Sequence, residues 1–126
     1  MLAIVSGVGV SLVGIFQGSS ADVANGLIAF HTVGAQGVML AGNIMAIVVG
    51  ASGARIGLGR GRRAASIALG IVGLLAFPVF MADVFTGWAW NIGLFERAGI
   101  YPIMIGHVLL GSGLIATRVP VELLDV

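Results

Sequence analysis

Four long apolar stretches separated by short polar connections dominate the pattern of hydrophobic and polar positions along the chain. They cover about residues 1–17, 27–50, 64–87 and 100–118. Each is close to the roughly 17 to 25 residues that a helix needs to cross the core of a bilayer. Because short connections place consecutive helices side by side and antiparallel, the pattern predicts an all-α integral membrane protein, folded as one domain (1–126) into an up-down four-helix transmembrane bundle.

The connections carry most of the charge and predict the orientation. Arg55, Arg60, Arg62 and Arg63 lie between the second and third stretches, and Arg118 follows the fourth. Cytoplasmic loops of membrane proteins are enriched in arginine and lysine. We therefore expect both termini in the cytoplasm and a multi-pass location in the cell membrane.

The opposite end of the predicted bundle carries aromatic residues where the chain would enter the bilayer. Trp88, Trp90 and Tyr101 lie there, at the positions expected of an aromatic belt. The 21 glycines of the chain include several at helix-contact spacing. These small-residue pairs predict close helix packing, and they are Gly7 with Ser11, Gly14 with Gly18, Gly37 with Ala41, and Gly70 with Gly73.

Composition supports the membrane assignment and excludes several kinds of function. Hydrophobic residues make up 59% of the chain and charged residues 9%, against about a quarter charged in soluble domains. The absence of cysteine excludes disulfides, thiolate metal sites and cysteine nucleophiles. With a net charge of +1 the chain has too few cations to neutralise many phosphates. We expect membrane lipids as partners and no nucleic acid.

Two histidines lie within the apolar stretches and offer the main candidate chemistry. The predicted spans place His31 about one turn, and His107 about two turns, below the outer surface. Each could bond a carbonyl, hydroxyl or carboxylate on a neighbouring helix. Alternatively, the two could be axial ligands of a b-type haem, or His31 could line an ion, proton or lipid-headgroup site with Asp83 and Glu96.

Polar side chains inside a membrane are expected to face protein or water. Asn43 should therefore face a neighbouring helix, with Gly42 allowing close approach. We expect His31 to pair with Glu96 and Arg97 at the outer end. The complete predicted polar cluster is His31, Asn43, Asp83, Glu96 and Arg97.

Enzyme motifs are absent from the sequence. It contains no paired-histidine zinc motif, nucleophile elbow or P-loop. A lipid hydrolase would need Ser19, Ser20 or Thr32 as a nucleophile beside His31, but hydroxyls in such positions are typically helix caps. The arginine-rich connection, Arg55 to Arg63, is instead predicted to attract anionic lipid headgroups.

Three segments in order resemble a known family. They are "GVGVSLVGIFQGSS", "FHTVGAQGVMLAGNIMAIVVG" and "GLFERAGIYPIMIGHVLLGSGLI". They are similar to a prokaryotic multi-pass membrane family catalogued as a domain of unknown function and compared with the DRAM and Sfk-type membrane proteins. The matching motif positions are Phe16, His31, Gly34, Ala35, Gly42, Asn43, Glu96, Arg97, Tyr101 and Pro102.

The resemblance implies an architecture and leaves the activity open. It implies additional N-terminal helices before this region, so we expect either a shortened member or a start at Met1 that is not the native one. No reaction or cofactor follows from the family. His107 matches none of its motif positions.

Two functional hypotheses follow from the sequence. The first is a non-catalytic accessory, interaction or lipid-organising membrane protein, with other membrane subunits as possible partners. The alternative is a redox or transport component that uses a haem, ion or proton site built on the histidines. No catalytic residue or metal site is predicted.

Overall fold

The described part of the computed structural model, residues 1–87 and 91–117, is built from helices without a strand. This confirms the all-α prediction for those residues. The helices are α1 (Leu2–Ile15), α2 (Ser20–Ala24), α3 (Ile28–Ile56), α4 (Arg60–Thr86) and α5 (Ile92–Thr117). Trp88, Trp90 and Arg118, which contributed to the predicted orientation, lie outside the described residues.

Two of the described helices, α3 and α4, are long and apolar enough to cross a membrane. They have 29 and 27 residues. The apolar helix α1 has 14 residues, fewer than the roughly 17 that a span requires. The structure therefore provides two candidate spans where the sequence predicted four.

Helix α3 changes its winding along its length. Its α-helical first part gives way to a π-helical segment, Val38–Gly42, and it ends in a 3₁₀ turn, Gly53–Ile56. Gly57 follows with a φ of 77°, a left-handed conformation that glycine adopts without steric cost and that commonly ends a helix. The π-helical segment is wider than an α-helix and lies directly before Asn43.

The other helices pack around α3. Helix α1 lies along the first part of α3, whereas α4 packs against the second part and α5 packs mainly against α4. At the crossing of α1 and α3, a Cβ atom added to Gly9 would lie 2.6 Å from the carbonyl oxygen of Gly34. The two backbones can approach this closely because both positions are glycine.

Several helices begin or end inside the predicted connections. Helix α5 begins at Ile92, about two turns before the predicted start near residue 100. Glu96 and Arg97 therefore belong to a helix, and likewise Arg60 starts α4. A hydropathy pattern marks the part of a helix that suits hydrocarbon, so it cannot detect turns that continue into polar surroundings.

Candidate functional site

Asn43 occupies the centre of the packed helices. Its side chain is 0% exposed, and its Nδ2 donates to the carbonyl oxygens of Met39, 2.7 Å away, and Gly99, 2.8 Å away. Because Gly99 belongs to α5, the second bond joins α3 to α5. The sequence-based expectation that Asn43 faces a neighbouring helix agrees with this position.

Gly73 of α4 lies against the other side of the same amide. A Cβ atom added to Gly73 would collide with the Oδ1, Cγ and Nδ2 atoms of Asn43. Within the described residues, Asn43 Oδ1 is buried and has no N–H or O–H donor. The Cα–H bond that a Cβ would replace points at this amide and provides a weak polar contact. One asparagine thus contacts three helices.

His31 ties the end of α1 to the start of α3. Its Nδ1 lies 2.6 Å from the carbonyl oxygen of Phe16. Since a carbonyl only accepts, the ring proton is assigned to Nδ1. The rings of Phe16 and Phe30 stack beside it with their centroids 5.0 Å apart, and Gly18, with a φ of 70°, lies against the imidazole. The partly buried histidine therefore joins two helix ends.

The structure gives His31 different neighbours from the predicted ones. Within residues 1–87 and 91–117, no hydrogen bond or ion pair joins His31 to Glu96 or Arg97. Such a pairing requires the start of α3 to lie beside α5, but α1 packs along that part of α3. The predicted cluster also included Asp83 and Asn43. Asp83 is 6% exposed on α4, and Asn43 lies at the centre of the packed helices.

Asp22 is the acidic residue whose charge interacts with His31. The backbone N–H of Ser19 and the Ser19 hydroxyl donate to the Asp22 carboxylate, at 3.0 and 2.9 Å. These two bonds lower the pKa of Asp22, and the charge of His31 lowers it further by a smaller amount. Ser19 in turn accepts from the Asp22 backbone and caps α2. The Ser19 hydroxyl is thus a helix cap, which argues against a nucleophile at this position.

The two histidines have different surroundings, His31 at the ends of α1 and α3 and His107 on α5. On α5, Ile103 lies against Gly42, and His107 lines the next part of the same groove together with Ala46. His107 shares one lining with Ala35 and another with Ala46, which are four and fifteen residues beyond His31 along α3, or about 6 and 22 Å of helical rise. The relative depth of the two histidines in a bilayer stays a prediction. In the described part of the chain, no group of three or more potential ligands could hold a metal ion.

A cleft of about 330 Å³ opens between α1, α3 and α5. Helix α1 forms one wall with Val10 and Val13, α3 contributes Ala35 and Val38 to the floor, and α5 forms the other wall. The residues with polar side chains in its lining are Ser6 of α1 and His107 of α5. The cleft is therefore an apolar site with two hydrogen-bonding groups.

Sequence reasoning identified His107 but missed Ser6. Ser6 is 7% exposed, and its hydroxyl has no hydrogen bond within the described residues. The available signal was its spacing, since Ser6, Gly9 and Val13 follow the i, i+3, i+7 pattern of one helix face. Ser11, which the sequence analysis paired with Gly7, is exposed on α1.

The arginine side chains of the arginine-rich segment differ in whether they bond the backbone of α3 or are exposed. Arg63 donates from Nε to the carbonyl oxygen of Gly50 and from Nη2 to that of Ala51, both at 3.1 Å. These carbonyls lie near the end of α3, where backbone acceptors lack partners within the helix. Arg55, Arg60 and Arg62 are exposed. Three of the four predicted headgroup-binding arginines therefore remain available at this end, which we call the arginine end (Arg55, Arg60, Arg62 and Arg63).

No protein-family model, curated protein or solved structure matches this chain. The family resemblance noted in the sequence therefore stays a prediction. The functional argument rests on the residues and contacts of the chain itself.

Proposed function

We propose that this chain is a small multi-pass protein of the cell membrane that acts without catalysis, as an accessory, interaction or lipid-organising protein. In this proposal α1, α3, α4 and α5 run alternately up and down in the bilayer, and both termini are cytoplasmic. Membrane lipids, and further membrane helices or subunits, are its partners.

The outward-facing surface carries this proposal. Large apolar side chains point away from the packed helices on α1, α4 and α5, as illustrated by Ile4 at 70%, Leu75 at 67% and Val108 at 71% exposed. In water such a surface would be unfavourable by about 25 cal/mol for each Å² of apolar area. Hydrocarbon removes that penalty, so a bilayer is the environment that this surface suits.

Polar groups inside the packed helices support a structural role in preference to a catalytic one. Ser66 is 0% exposed and donates to the carbonyl oxygen of Ala46 at 2.8 Å. Asn43 and Arg63 also bond backbone carbonyls on other helices. These side chains use their hydrogen-bonding capacity to join helices. None of these three is paired with a second side chain as a nucleophile is with a base.

The proposed topology can be tested by cysteine labelling, because the chain has no native cysteine. A cysteine at Ser52, near the arginine end, should be shielded in intact cells from an impermeant thiol reagent. One at Thr86, at the opposite end of α4, should be labelled. Thr86 is a better reporter than Asn91, whose φ of 57° favours asparagine over cysteine.

Two outcomes would contradict the proposal. Labelling of Ser52→Cys but not Thr86→Cys would reverse the orientation. Release of the whole chain from membranes by alkaline carbonate would show that it is not an integral membrane protein. No contact among the described residues favours the haem-based redox alternative, so it is not proposed.

A further inference from the structure

The cleft between α1, α3 and α5 has the dimensions of a ligand site. Its volume of about 330 Å³ falls at the lower end of the roughly 300 to 1,000 Å³ typical of small-molecule sites. It exists because α1 packs on the first part of α3 while α5 packs mainly on α4. Helices α1 and α5 thus form the two walls, and Ala35 and Val38 of α3 form the floor between them.

Ser6 provides the first indication of what the cleft binds. Other serines in these helices donate to a carbonyl, as Ser11 does to Gly7 at 3.0 Å and Ser66 does to Ala46 at 2.8 Å. Ser6 is more than nine-tenths buried, yet its hydroxyl has no hydrogen bond within residues 1–87 and 91–117. The Ser6 oxygen itself is not fully buried, so its hydroxyl is accessible from the cleft that Ser6 lines. A polar group of a ligand in the cleft would provide its hydrogen-bond partner.

His107 determines the chemistry of that polar group. Its Nδ1 donates to the carbonyl oxygen of Ile103 at 2.8 Å. In the neutral imidazole Nε2 then carries a lone pair and accepts a hydrogen bond. The matching ligand group is a hydroxyl, which can donate to His107 and also accept from the hydroxyl of Ser6.

The remaining lining argues against a charged ligand. No Asp, Glu, Lys or Arg lines the cleft, so a phosphate group would have no counter-charge there. The cleft also lies beside the first part of α3, at Ala35 and Val38, whereas the arginine end lies at the other end of that helix. An apolar body with one neutral hydroxyl therefore fits this site better than a phospholipid headgroup does.

We propose that this cleft binds a neutral membrane amphiphile that carries a hydroxyl group, and that Ser6 and His107 are its hydrogen-bonding partners. The inference rests on the proposed membrane location of the chain. Two sources share this chemistry, namely a diacylglycerol-type lipid and a quinol.

The test uses the full chain in phosphatidylcholine nanodiscs and a diacylglycerol with a photoreactive diazirine on one acyl chain. Labelled positions are mapped by mass spectrometry to α1 and α5. Dioleoylglycerol should compete with the probe, whereas its O-methyl ether, which cannot donate, should compete about tenfold less well. Competition by a short-chain ubiquinol stronger than that by dioleoylglycerol would support the site with a quinol as its natural ligand.

Variants connect the labelling to the cleft. Ser6→Ala and His107→Leu should each weaken probe binding about fivefold, which corresponds to the loss of one hydrogen bond. Ser11→Ala on the same helix is the matched control and should leave binding unchanged. Val10 is 57% exposed at the rim of the cleft, so Val10→Trp should block the cleft without disturbing the packed helices, even if His107→Leu misfolds.

Several results would overturn the inference. Equal competition by the alcohol and its ether would exclude recognition of the hydroxyl. Labelling that is insensitive to Val10→Trp, or equal competition by phosphatidylglycerol, would indicate only the surrounding lipid. Cross-linking between two chains through α1 and α5 would assign the cleft to a second copy. If the chain resists carbonate extraction, each of these results contradicts the ligand site but leaves the proposed membrane location intact. If carbonate releases the chain, the proposed membrane location itself is contradicted.

Discussion

The two histidines make the same type of hydrogen bond with opposite consequences. In both, Nδ1 donates to a backbone carbonyl. His31 bonds Phe16, which lies outside its own helix, so its imidazole is a link between two elements. His107 bonds Ile103, one turn back on its own helix, which leaves the rest of the ring to face the cleft. The location of the acceptor therefore distinguishes a structural histidine from a candidate ligand-binding one.

At this scale we predict that His31→Ala destabilises the protein by about 1–3 kcal/mol, because the carbonyl oxygen of Phe16 loses its partner in a partly buried position. Unfolding in a mild detergent, followed by circular dichroism, measures the change. Thr32→Val is the matched control, since the Thr32 hydroxyl bonds Ile28 within the same helix. If His31→Ala were as stable as the control, His31 would not be a structural link.

At the scale of the element, the spacing of glycines predicted some helix contacts correctly and others not. Gly70 and Gly73 were predicted as a contact pair, and both lie against α3, where added Cβ atoms would collide with Asn43 and Ile47. Gly7 was predicted to pack together with Ser11, and Gly14 together with Gly18, yet within the described residues a Cβ added to Gly7 or Gly14 would meet nothing within 4 Å. Spacing identifies a small-residue face, but only the packing of the chain shows whether that face is covered.

This difference predicts the effect of a single methyl group at matched positions. Gly73→Ala should lower the thermal stability, by roughly 1–3 kcal/mol in free energy, because the new Cβ overlaps the buried amide of Asn43. Gly7→Ala should leave stability unchanged or raise it slightly, since alanine favours helix over glycine. The melting temperatures of the two variants in the same detergent make the comparison. Equal melting temperatures would argue against the close contact of Gly73 with Asn43.

At the scale of the whole molecule, the sequence predicted helical stretches better than it predicted their neighbours. Apolar runs identify helices because both depend on local composition. The neighbours of each helix depend on contacts between distant segments, so the pairing of His31 with Glu96 was inferred without knowing that α1 covers the start of α3. The first two turns of α5 were missed because they contain charged residues. Three helices form the cleft together, so the spacing of Ser6 along α1 was the only sign of it in the sequence.

The last prediction concerns the charge at the two ends of the molecule. Each arginine near an anionic membrane surface contributes about 1 kcal/mol of attraction. Arg55 and Arg60 are exposed at the arginine end, so Arg55→Gln combined with Arg60→Gln should reduce the preference for phosphatidylglycerol over phosphatidylcholine by about 2 kcal/mol, or roughly 30-fold. Lipids that stay bound in native mass spectrometry report this preference.

Two single variants separate lipid attraction from folding and from net charge. Arg63→Gln should mainly reduce stability, because Arg63 bonds the carbonyl oxygens of Gly50 and Ala51 at the end of α3. Arg97→Gln removes an exposed arginine from the opposite part of the molecule, where the outer leaflet is expected to offer less negative charge. If Arg97→Gln changed the lipid preference as much as Arg55→Gln or Arg60→Gln alone, net charge would explain the attraction and the arginine end would have no special role. If instead the effect is confined to Arg55 and Arg60, the same charges that predict the orientation also attract anionic lipids to that end.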